Sequence, residues 1–153
     1  MLPTRNSNPD DDAGLAEQGA RLADAVAAAL PGWVGRTLRS RAPAVGDDVV
    51  AAVTAEVEAE VLGDLRALLA RDVDEQGCSP LSVVRRAAAT VGGALDALGA
   101  APPVRDDQQR ALFPGDTHDV VPASFADLSE AAGQAGITWG ATKAFVHRRR
   151  HRG

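Results

Sequence analysis

The chain has 153 residues and a formal net charge of −5, so one domain is expected and its length suffices for a hydrophobic core. Its single cysteine, Cys78, excludes an intrachain disulfide, and no apolar run approaches the roughly eighteen residues of a membrane span. Residues 1–14 lack the apolar stretch of a secretory signal, which predicts a cytoplasmic protein.

The composition favours helices packed closely together. Hydrophobic residues make up 45% of the chain, but many of them are alanine, and aromatic residues contribute only 3%. Ala, Val and Leu must therefore supply most of the buried surface. Such side chains suit helix–helix contacts better than a ligand pocket lined with rings.

The N-terminal part predicts a disordered lead over residues 1–11, followed by a helix over 13–30. Acidic residues at 10–12 suit a helix start, where the helix dipole favours negative charge. Pro31-Gly32 predicts the end of this helix, and a short second segment then runs from Trp33 to Arg41.

The longest regular stretch covers residues 47–71. Its central part alternates between Glu and apolar residues as a strand would, yet Val49, Val53, Val57, Val61, Leu65 and Leu69 recur at every fourth position. Ala and Glu are poor strand residues, and a strand of this length is unusual. The pattern therefore predicts a helix.

A third helix is predicted over residues 80–98, with Ser79 as its N-cap and Pro80 in its first turn. The last third predicts shorter elements. Ser124 and Asp127 have the spacing of a capping box, the helix that they begin should end near Ala132, and Thr138 should cap a final helix beyond two glycines.

These elements predict an all-α, single-domain helical bundle of three longer helices plus short C-terminal helices. The expected organisation is a disordered lead (1–11), a helical domain (12–147) and a basic flexible tail (148–153).

The final third resembles a small actinobacterial family of no known activity, whose chains close with a Trp-Gly-Ala-x-Lys-Ala tail helix. The likeness covers roughly residues 72–150 and is carried by the following segments: Pro102-Pro103-Val104-Arg105-Asp106, Phe113-Pro114-Gly115-Asp116, Pro122-Ala123-Ser124-Phe125-Ala126-Asp127-Leu128 and Trp139-Gly140-Ala141-Thr142-Lys143-Ala144. The chain departs from the pattern at 117–118 and 130–135. The resemblance implies a helical intracellular bacterial protein and no particular cofactor or catalytic residue.

The strongest hint of a partner is the C-terminal segment 143–153, called the basic tip below. It carries five of the sixteen basic residues and no acidic one, whereas residues 1–142 carry eleven basic and all twenty-one acidic residues. Arginine forks bind phosphates and carboxylates, so the tip predicts contact with an anion. The residues concerned are Lys143, His147, Arg148, Arg149, Arg150, His151 and Arg152.

Two accounts of the basic tip remain open. It contacts an outside anion, such as a nucleic-acid backbone or an acidic protein, or it docks on acidic residues of its own chain. Stacking on bases needs aromatic residues between the charges, and only Phe145 is near, with a helical phase that predicts burial.

Glu56, Glu60 and Asp64 lie at i+4 spacing on one face of the predicted 47–71 helix. Like charges repel at this spacing by about 0.2–0.5 kcal/mol per pair. The face is either solvated or a docking track for a basic segment, whether the protein's own basic tip or another chain's.

The loop Asp116-Thr117-His118-Asp119 places two carboxylates beside an imidazole. Such a group can serve acid–base chemistry or hold a metal ion, but one local cluster supplies too few ligands by itself. A turn is the simpler interpretation. Cys78 has no partner cysteine and no nearby histidine, which favours a structural role.

No catalytic, cofactor-binding or metal-ligating motif is recognisable. The first hypothesis is therefore a non-enzymatic interaction or regulatory protein that binds another protein, with self-association as an option. The alternative is a nucleic-acid-associated protein that contacts phosphates through the basic tip. The third is a small metal-dependent enzyme built on Asp116, His118 and Asp119.

Overall fold

The structure, a computed structural model, describes residues 9–75, 79–112 and 117–152. It contains six α-helices: α1 (Pro9–Arg41), α2 (Asp47–Leu69), α3 (Pro80–Arg85), α4 (Ala87–Ala97), α5 (Asp107–Leu112) and α6 (Glu130–Arg150). One 3₁₀ turn, Phe125–Asp127, precedes α6. The described residues contain no strand, so the predicted all-α single-domain bundle is confirmed.

The long α1 helix is the centre of the bundle. It packs against α2 on one side and α6 on another, while α3 and α4 lie on α2. The valine and leucine series of α2 points into the core that these helices share, and Val57, Val61 and Leu65 are fully buried there. The i+4 series in α2 was therefore a correct guide to both helix and core.

The expected end of the first helix at Pro31-Gly32 is wrong, because α1 continues through both residues to Arg41. A proline inside a helix costs about 3 kcal/mol. Leu30 and Trp33, on the two sides of Pro31, are buried, and so are Val34 and Leu38, one and two turns beyond Leu30. Burial of these four side chains offsets the cost of the proline.

The expected 80–98 helix is divided at Arg86 into α3 and α4. The N–H of Arg86 donates to the carbonyl of Val83 at 3.2 Å, a three-residue step that tightens the chain locally. Its predicted start is confirmed, since the Ser79 hydroxyl accepts a hydrogen bond from the Ser82 N–H.

The expected pair of short helices at the C-terminal end is also wrong. The capping box is present, with the Ser124 N–H donating to Asp127 at 2.8 Å, but it closes only the 3₁₀ turn. Helix α6 begins after Ser129 and runs through both glycines. A Cβ on Gly133 would lie 3.2 Å from the Ala126 backbone, and one on Gly136 would lie 2.7 Å from the Phe125 ring. The glycines thus let the 3₁₀ turn pack against α6.

Helices extend past both predicted ends of the helical domain. Residues 9–11 belong to α1 and residues 148–150 belong to α6, rather than to a disordered lead and a flexible tail. Both segments make ion pairs, described below, that fix them on the bundle. Residues 1–8 and 153 lie outside the described part of the chain.

Replacing Leu65 by alanine should lower the free energy of unfolding by about 2–5 kcal/mol, because the side chain is fully buried in the main core. Leu112→Ala, at an exposed position, should change it by no more than about 0.5 kcal/mol. Urea denaturation followed by circular dichroism measures both. Equal effects of the two substitutions would contradict the assignment of the core.

Candidate functional site at the C-terminal end of α6

A small second core joins three segments at one end of the bundle. Leu15 of α1, Val73 of the turn after α2 and Val146 of α6 are buried together, and Trp139 packs against them. Helical spacing places Arg150 one turn beyond Val146 on the same face of α6. The last turn of α6 therefore meets the start of α1 and the turn at 72–74.

The Arg150 guanidinium lies among three carboxylates, with only 7% of the side chain exposed. One nitrogen donates to Asp12, and the other donates to Asp72 and, at 3.5 Å, to Asp74. Burial lowers the pKa of Arg150, but hydrogen bonds to Asp72 and Asp12 outweigh this effect and the pKa is raised overall. The side chain is a charged clamp between three segments of the chain.

Arg149 extends the clamp by pairing with Asp11 at 3.2 Å. Asp11 and Asp12 lie in the first turn of α1, where the helix dipole also favours negative charge. Two of the four arginines of the basic tip are thus neutralised by carboxylates of the same chain.

The acidic face of α2 is not the docking track of the tip. Asp64 pairs with Arg86 at 2.6 Å, and Glu60 accepts a hydrogen bond from Thr90. Glu56 is exposed and has no ion pair within the described residues. Asp64 and Glu60 instead connect α2 to the α3–α4 segment packed beside it.

The two histidines of the basic tip share one carboxylate oxygen. His147 Nδ1 and His151 Nε2 each lie 2.9 Å from Asp74 Oδ1, and the two ring centroids are 4.5 Å apart. The hydrogen bond from His151 lowers the pKa of Asp74 most, with His147 and Arg150 adding to the effect against the opposing influence of burial. Each of the three residues offers one atom that could bind a metal ion, and these three atoms all lie within 4.8 Å of one another.

The remaining cations of the tip differ from one another. Lys143 Nζ stands 5.1 Å above the centroid of the Trp139 ring, a cation–π contact. Arg148 and Arg152 are exposed and form no ion pair with any described residue. Only these last two guanidinium groups of the tip are free to meet an outside anion.

The outer face of α6 is apolar at its centre and exposed. Ile137 is 70% exposed and Phe145 is 52% exposed, and Ala141 lies between them at i+4 spacing. Burial of Phe145 was therefore a wrong prediction. Helix α1 packs on the opposite face of α6, which carries Val146 and Arg150.

The histidine of the described segment 117–119 points inward. His118 is 1% exposed, and its Nε2 lies 2.6 Å from Asp96 Oδ1. Asp119 points away to Arg105, at 3.3 Å. His118 and Asp119, which the sequence predicted to act together, therefore contact different residues. Asp116 and Cys78 lie outside the described residues.

The His147–His151 pair had a signal in the sequence that the prediction of an anion-contacting tail passed over. Two histidines at i and i+4 on a helix present their rings on one side, an arrangement common among metal ligands. Asp74 had no such signal, because only the packing of Val73 against α6 brings it beneath the rings.

The chain matches no protein-family model, no curated protein and no solved structure. Among the described residues, no helix combines the length and apolarity required to cross a membrane. The resemblance to an actinobacterial family stays a prediction.

Arg150→Met should lower the free energy of unfolding by about 2–3 kcal/mol. Removing one partner of a buried ion pair costs about 3–5 kcal/mol, and the partial exposure of Asp12 and Asp72 reduces this amount. Arg152→Met, two residues on and exposed, should change stability by less than about 0.5 kcal/mol. An equal loss of stability in both variants would show that the ion pairs of Arg150 do not stabilise this end of the bundle.

The Asp74 carboxylate should stabilise the protein only while it is charged. Its pKa lies below the ordinary 3.8, so its contribution is present above pH 3.8 and is lost as the pH falls through the lowered value. The stability difference between wild type and Asp74→Asn should therefore be larger at pH 5 than at pH 2. Denaturation across this range tests the prediction, and a difference that grows toward pH 2 contradicts it.

Proposed function

We propose that the chain is a non-enzymatic interaction protein that binds a partner helix on the outer face of α6. The supporting observation is the exposed apolar stripe, which lies between charged ends of opposite sign. Helical spacing puts Glu130 at one end of the stripe and Arg148 and Arg152 at the other, all exposed. This face is called the docking face below.

The pattern specifies the chemistry of the partner. An amphipathic helix that runs antiparallel to α6, with an acidic end over Arg148 and Arg152 and a basic end over Glu130, would match its charges. Ala141 at the centre is small, which favours close approach of the two helices. Burial of Ile137 and Phe145 would supply the main gain in free energy.

A second copy of the chain carries this pattern itself. In an antiparallel pair with its two-fold axis at Ala141, Ile137 faces Phe145 of the other copy and Glu130 faces Arg152. A two-fold interface of this type must be self-complementary, and this face meets that condition. We therefore propose a second copy as the occupant of the docking face, with a different protein as the alternative outcome of the test.

A role in nucleic-acid binding has less support. Phosphate binding draws on free cations, and Arg149 and Arg150 are already paired with aspartates. The double variant Arg148→Ala/Arg152→Ala tests this alternative, because it removes two exposed guanidinium groups of the tip and leaves the ion pairs of Arg150 intact.

We also propose that the protein is cytoplasmic, in keeping with its lone cysteine.

Phe145→Glu should weaken dimerisation at least about 30-fold, because an apolar anchor at an interface contributes about 2 kcal/mol or more. Sedimentation velocity measures the dissociation constant of the dimer at protein concentrations up to about 100 µM, which lie above the micromolar end of the affinity range. Leu112→Glu, which places the same charge at another exposed leucine, is the matched control and should leave dimerisation unchanged.

Charge exchange adds a test of orientation. Arg152→Glu alone should weaken the dimer roughly 2- to 30-fold through two exposed ion pairs, and the added substitution Glu130→Arg should restore it. A wild-type chain that stays monomeric overturns self-association. If a photo-crosslinker at position 145 then also captures no protein in cells, the interaction function is overturned as well.

A further inference from the structure

The side chains of Asp74, His147 and His151 form a cluster that the proposed docking function does not use. Successive turns of α6 bring the two rings together, and the turn after α2 brings the carboxylate beneath them. Asp74 is 11% exposed, whereas the rings are 54% and 57% exposed. The cluster therefore has a fixed inner wall and an outer side open to water.

We propose that Asp74, His147 and His151 form a binding site for a divalent transition-metal ion such as Zn²⁺. The ligand atoms would be Asp74 Oδ1, His147 Nδ1 and His151 Nε2. Imidazole nitrogen and carboxylate oxygen are preferred ligands of this ion, and water on the open side would complete a four-coordinate shell.

The geometry needs only small side-chain movements. Two ligands about 2.0–2.1 Å from a tetrahedral Zn²⁺ stand about 3.4 Å apart. The Asp74 oxygen lies 2.9 Å from each of the two nitrogens, and the three residues offer ligand atoms within 4.8 Å of one another. Both rings are more than half exposed, so their rotation can open the required space.

The direction of the Asp74 carboxylate also suits a metal ion. Arg150 contacts the other oxygen of Asp74, so Oδ1 remains directed at the rings.

The site differs from the docking face. The two rings project from the flank of α6, between the face that carries Arg150 and the face that carries Phe145, as their helical positions require. Bound metal would tie the last turn of α6 to the turn after α2 and so stabilise the folded state. Metal binding and helix docking are therefore separable by experiment.

Isothermal titration of the full chain with Zn²⁺ tests the proposal. One ion per chain should bind, and His147→Ala and His151→Ala should each weaken binding at least about 100-fold, since even the removal of outer-shell partners costs 10- to 100-fold. Co²⁺ should give the visible absorption of a low-symmetry site in the wild type, and the histidine variants should lose it. Zn²⁺ should raise the melting temperature of the wild type and not that of the double variant His147→Ala/His151→Ala.

Cys78→Ser is the control, because cysteine is the other strong Zn²⁺ ligand type in the chain and is expected to play no part. Circular dichroism without metal shows whether each variant is folded, and His147→Gln and His151→Gln replace the alanine variants if folding fails. Zn²⁺ binding that survives in the folded double variant, or that disappears with Cys78, overturns the proposal. So does a wild-type chain that binds no Zn²⁺ at about 100 µM.

Discussion

A buried guanidinium group organises one end of this bundle. An ion that leaves water needs compensating charges and hydrogen bonds, and Arg150 finds them in Asp12, Asp72 and Asp74. These aspartates belong to the start of α1 and to the turn after α2, so one side chain fixes three segments relative to one another. Helix α6 must stay helical as far as Arg150 for the contact to form. The apolar contacts of Val146, one turn earlier, hold the helix in the same register.

Once this register is set, the other faces of α6 follow from helical geometry. The histidines at 147 and 151 fall on the flank, above Asp74, while Ile137 and Phe145 fall on the outer side. The charges of the tip are divided in the same way. Arg149 and Arg150 form ion pairs with aspartates of the chain, whereas Arg148 and Arg152 are exposed. The proposed metal site and the proposed docking face therefore use different side chains of one helix.

Sequence reasoning succeeded where a local signal and the tertiary contacts agree. The i+4 valine series predicted α2 and its buried face, and Ser79 predicted the start of α3. It failed where packing outweighs a local preference. Pro31 does not end α1, because the apolar residues before and after it are buried on the same face of the helix. Gly133 and Gly136 do not break α6, because the Phe125–Asp127 turn occupies the space that their missing side chains leave.

The sequence by itself determined that the chain is helical, that Val and Leu form its core, and that a cationic end stands against an anionic body. Helical periodicity and charge are properties of the chain that do not depend on which segments meet. Only the tertiary structure decided that the basic tip contacts Asp11, Asp12, Asp72 and Asp74 rather than Glu56, Glu60 and Asp64. Attraction between charges has little directionality, so every acidic patch was a candidate partner. The packing of Leu15, Val73 and Val146 selected one of them, because burial of these side chains brings the first set of carboxylates, and not the second, to the end of α6.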